Sequence, residues 1–77
     1  KPDPELFKRA FQAAGLTPQE VIHVGDCHDN DVLGAAQAGA QAIWYNPIGG
    51  SSAVANAVVR HLRDLPDAIC DLVKSLG

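Results

Sequence analysis

The segment that most restricts this chain is Val21-Ile22-His23-Val24-Gly25, followed at once by Asp26-Cys27-His28-Asp29-Asn30-Asp31. A short β-branched run ended by glycine reads as a buried strand. After the polar stretch, Val32, Leu33, Ala35, Ala36 and Ala38 make an alanine-rich helix stopped at Gly39. Its small residues suit close packing on a sheet. Strand, polar turn and helix in this order imply a βαβ crossover and therefore a parallel sheet.

The flanking segments extend the alternation. Lys1-Pro2-Asp3-Pro4 opens a helix, with Asp3 as N-cap and proline in the first turn. Leu6, Phe7, Ala10, Phe11 and Ala14 then recur at helical spacing until Gly15. Thr17-Pro18-Gln19-Glu20 is a turn. Gln41-Ala42-Ile43-Trp44-Tyr45 is a second strand, ended by Asn46-Pro47. Residues 48–57 are a loop by composition, and 58–62 alternate weakly, as in a short edge strand. Leu65, Ala68, Ile69, Leu72, Val73 and Leu76 mark a last helix, with Asp64 as its N-cap. The fold class expected is α/β, a partial Rossmann-like parallel sheet flanked by helices, whose first strands are expected to lie outside the 77 residues.

Composition narrows the function. A hydrophobic share of 47% with 19% charged residues belongs to a globular chain. The net charge of −3, with six scattered Lys and Arg, argues against nucleic acid, which needs a basic face. No apolar run approaches the ~18 residues that cross a bilayer. Cys27 and Cys70 lack CxxC spacing, so neither a disulfide framework nor a zinc site is expected, and a reduced, cytoplasmic setting is. The chain opens without Met in the middle of a motif, so residues 1–77 are expected to be the C-terminal portion of a larger core domain. Its half-built sheet is a candidate for self-association through exposed edges.

In open parallel sheets, ligands sit beyond the carboxyl ends of the strands. Asp26 occupies such an end and Asp31 follows five residues on, where the helix begins. Carboxylates so placed are hard oxygen ligands of the kind Mg²⁺ takes beside water and phosphate. Helix capping accounts for the same residues: Asp26 as N-cap, Asp29 or Asp31 as first-turn acids. Three acids within six residues exceed what capping needs, and they repel one another without a cation.

Lys1-Pro2-Asp3-Pro4, the segment Gly25-Asp26-Cys27-His28-Asp29-Asn30-Asp31 and the continuation Gly34-Ala35-Ala36-Gln37-Ala38-Gly39 resemble the third and fourth motifs of haloacid-dehalogenase superfamily phosphatases. Order and spacing both agree, strongly over residues 1–47 and loosely beyond. The resemblance implies Mg²⁺-dependent hydrolysis of a small phosphorylated metabolite through a phosphoaspartyl intermediate. Lys1 would neutralise charge on the nucleophile and the transferring group, while Asp26 and Asp31 would hold the ion. Gly25, Cys27 and Asn30 would support the site, and the thiol of Cys27, replacing the commoner serine, donates more weakly. The family's nucleophile motif, DxDxT, does not occur in these 77 residues, so the isolated chain is expected to be inactive and the activity to belong to its parent protein. The rival readings are a 2-haloacid dehalogenase, whose fourth motif lacks the paired acids, and a non-catalytic α/β binding module.

The remaining polar and aromatic residues have plainer readings. His23 is expected to be a packed strand histidine and His28 a solvated loop residue. Trp44 and Tyr45 end a strand without basic neighbours, so they make no base-stacking platform. Gly49-Gly50-Ser51-Ser52 lacks the lysine of a phosphate-binding loop and reads as a flexible connection.

Overall fold

The computed structural model describes residues 3–76. Asp3 caps the first helix: its Oδ1 accepts the Glu5 N–H at 3.1 Å, and Pro4 takes a position where no donor is needed. This helix, α1 (Pro4–Ala14), ends at Gly15, whose φ of 74° turns the chain out of the helix. A 3₁₀ turn, Pro18–Glu20, follows. Its end is tied back because Glu20 Oε1 accepts both the backbone N–H and the hydroxyl of Thr17, at 2.9 and 3.0 Å.

The chain then enters β1 (Ile22–Gly25). The polar segment beyond it is helical earlier than its composition suggests. His28–Leu33 forms a wide π-type turn that runs directly into α2 (Gly34–Gln37). Cys27 C=O anchors this widening, accepting from Asp31 N–H at 2.8 Å and Val32 N–H at 3.4 Å. Single π turns of this kind gather at functional sites. Gly34 lets α2 approach α1, since a Cβ there would lie 2.6 Å from Phe7 Cε2.

Next come β2 (Gln41–Tyr45), β3 (Ala57–Val59) and α3 (Leu65–Leu76). The three strands form one parallel sheet in the order β1-β2-β3. Ala42 and Ile43 are both fully buried and, as neighbours in a strand, face opposite sides. The central strand is therefore covered on both faces. Ala42 belongs to the main core with Phe11, Val32, Ala35, Ala38 and Ala40.

Two boundaries differ from the sequence reading. The third strand is Ala57–Val59, and Leu62 leaves it to become 62% exposed. Asp64 lies within a 3₁₀ turn, Leu62–Asp64, that leads into α3, so it does not cap that helix; alternation over a few residues near a chain reversal cannot separate strand from turn. The β2–β3 connection carries no helix. Its ends are fixed on the sheet instead, by Asn46 N–H to Val59 C=O at 2.8 Å and Asn56 Oδ1 accepting Ala42 N–H at 2.9 Å.

Candidate functional site

Because the strands are parallel, the turns after Gly25 and Tyr45 leave the same edge of the sheet, with Gly25 in register with Trp44. Asp26 follows Gly25 there and is exposed. Asp31 returns over the strand end from the first turn of the helix. Its Oδ2 accepts the Cys27 N–H at 3.1 Å, and its Oδ1 lies 3.1 Å from His23 Nε2. The side chain packs so closely on Gly25 that a Cβ at that residue would fall 2.3 Å from Asp31 Cγ. Glycine is required here by contact rather than by backbone angle.

His23 is thus more than a packed strand residue. Its ring meets Phe7 edge-on, with centroids 4.8 Å apart, and its Nε2 serves the acid two strand positions above. Strand alternation carried the signal: residues 23 and 25 share a face. Whatever packs on Gly25 comes within reach of residue 23. Cys27 contributes through its backbone, and its side chain is exposed without capping the helix.

Asn30 and Asp31 line an open cleft of about 450 Å³ together with Asp3, Leu6, Phe7 and Ala10 of the first helix and its cap. Lys1, the sequence candidate for charge neutralisation, lies outside the described residues; Asp3, two positions later, is at the cleft.

His28 is also not a free loop residue. Its Nε2 lies 2.6 Å from Ser52 Oγ, and its ring stands edge-on to Trp44 at 4.6 Å. Trp44 Nε1–H in turn donates to Asp26 C=O at 3.1 Å. The Gly49–Ser52 segment is therefore fastened to the acidic turn.

Two carboxylates fit a magnesium ion, which keeps several waters and takes one or two acidic side chains with a substrate phosphate. Among the described residues no three His, Cys, Asp or Glu side chains gather as a closed cage, the arrangement a structural transition-metal site would need. No Lys or Arg occurs in residues 10–59, so the chain's own cations do not balance Asp26, Asp29 and Asp31 from this stretch.

A family model described as HAD-hydrolase-like matches residues 1–76. The phosphoserine phosphatase of Thermus thermophilus is 50% identical over 44 residues, covering 57% of this chain and 18% of that protein. The glyceraldehyde 3-phosphate phosphatase of Pyrococcus furiosus is 40% identical over 45 residues, covering 58% and 19%. The chain thus spans less than a fifth of either relative. In three dimensions it resembles the crystal structure of 2-haloacid dehalogenase from Pseudomonas syringae pv. Tomato DC3000. There the TM-score is 0.80 at 38% identity, over 92% of this chain and 32% of that one.

Proposed function

This chain belongs to the haloacid-dehalogenase-like hydrolases, and from that premise we propose that it supplies the cation-binding part of a Mg²⁺-dependent phosphomonoester hydrolase acting on a small phosphorylated metabolite. The observation that carries the reading is the pair of acids on one turn at a parallel strand's carboxyl end. Asp26 stands open to solvent, while Asp31 is held over Gly25.

Asp26 would be the direct ligand, and Asp31 would hold the ion either directly or through one of its waters. The ion, when bound, shields the phosphate's negative charge from an anionic nucleophile. Lys1 would add positive charge where phosphoryl transfer concentrates negative charge, as the family resemblance implies. Asn30, on that cleft, and the Cys27 backbone complete the polar surroundings. The nucleophile comes from sequence beyond these residues, so turnover belongs to the larger polypeptide and not to residues 1–77 alone.

The relatives named for phosphoserine and glyceraldehyde 3-phosphate support phosphatase chemistry without choosing a substrate. The likeness to a 2-haloacid dehalogenase keeps the second chemistry in view. The paired acids favour the phosphatase, because carbon–halogen displacement on this scaffold needs no cation.

The test is phosphate release from an aryl phosphate by the longest polypeptide carrying this sequence, beside Asp26→Asn. Activity should vanish with chelator and fall at least ~100-fold in the variant, about 2.7 kcal/mol of barrier. Activity indifferent to both magnesium and Asp26 would defeat the proposal in favour of the dehalogenase or the non-catalytic module.

A further inference from the structure

Both oxygens of Asp31 are engaged before any ligand is considered. Oδ2 accepts the Cys27 N–H, and Oδ1 faces His23 Nε2. An ionised carboxylate can only accept, so the hydrogen of that second contact sits on His23 Nε2. His23 is fixed in turn: its backbone pairs in the sheet opposite Ala42, and its ring packs against Phe7. A line of contacts therefore runs from Phe7 on α1, through His23 on β1, to Asp31 on the π-type turn. Gly25 beneath the carboxylate leaves that side chain in close contact with the strand end.

Each carboxylate oxygen has two lone-pair directions, and each has already given one to a protein donor. What remains is one direction per oxygen, set by the placement of the donors. We infer that His23 is a positioning residue for the metal site, orienting Asp31 so that its remaining lone pairs are set before the cation arrives. The inference rests on the metal-binding reading of Asp26 and Asp31 and adds to it a residue outside the acidic turn. Partners that orient a ligating side chain in this way typically contribute ten- to hundred-fold in metal affinity.

Two conservative variants separate positioning from packing. Glutamine at residue 23 can carry an amide N–H to where Nε2 stands, whereas asparagine is one methylene too short. In the longest polypeptide carrying this sequence, Mn²⁺ binding would be followed by electron paramagnetic resonance for wild type, His23→Gln and His23→Asn. We expect His23→Gln to bind close to wild type and His23→Asn to bind about 10-fold more weakly, with substrate KM at saturating metal unchanged in both. Wild-type affinity in His23→Asn, or equal losses in both variants, would overturn the positioning role while leaving the metal site intact. No Mn²⁺ binding by wild type would overturn the metal-site reading itself, and this inference with it.

Discussion

Of the segments that leave the carboxyl edge of the sheet, those after β1 and β2 are held in opposite ways. The turn after β1 is held from within: strand residue His23, the Cys27 N–H and the bare backbone of Gly25 all act on Asp31. The longer connection after β2 depends on one hydroxyl in its middle. Ser52 Oγ accepts the Val54 and Ala55 N–H groups at 3.1 and 3.0 Å and meets His28 Nε2 at 2.6 Å. The first turn orients a charge on a rigid strand. The second has its middle fastened to the first through the Ser52–His28 contact.

The largest effect should come from Gly25→Ala. The added Cβ would overlap the Asp31 side chain, so either the acid or the strand end must move. A loss of about 2 kcal/mol in denaturant unfolding is expected, together with loss of Mn²⁺ binding. If both survive, the first turn is less rigid than its contacts indicate.

A smaller and more local effect is expected for Ser52→Ala, which removes the hub of the second connection. Amide exchange at Val54 and Ala55 should quicken, with stability lower by about 1 kcal/mol and Mn²⁺ affinity unchanged. A fall in Mn²⁺ affinity to match that of His23→Asn would show that the two turns act as one unit.

The smallest effect belongs to a site on neither turn. Thr17's backbone N–H, and after it the Thr17 hydroxyl, hold the Glu20 carboxyl below its ordinary range. A group whose pKa is lowered by folding contributes stability above its unfolded pKa and loses it as pH falls through the folded one. Glu20→Gln should therefore lower stability slightly at neutral pH, leave it unchanged well below the folded pKa, and so flatten the acid limb. Carboxyl NMR titration of Glu20 checks the direction, and a midpoint at or above the ordinary glutamate value would refute it.

What the sequence disclosed, and what it hid, divides along similar lines. Asp3, Pro4 and Gly15 marked the limits of α1 because caps and breakers act on their own neighbours. The strand–acid–helix order exposed the parallel sheet and the Asp26–Asp31 pair for the same reason. His23 packs in its strand as read, but its contact with Asp31 was missed and His28 was misjudged, because the partners are eight and 24 residues away and a local pattern holds no record of side chains that fold back. The π-type turn escaped notice because its polar residues look like a loop until the Cys27 carbonyl gathers two amides.

The close seating of Asp31 on Gly25 also bears on how such a chain can diverge. Residue 25 is not free to drift alone: a side chain there forces the acid or the strand end to move. Gly25 should therefore be kept along any lineage that keeps Asp31 in this seat. A hydrogen atom on residue 25, the least informative of side chains, becomes a marker for an acid six positions later. A descendant carrying alanine there would be announcing that its Asp31, or the strand end beneath it, had already moved.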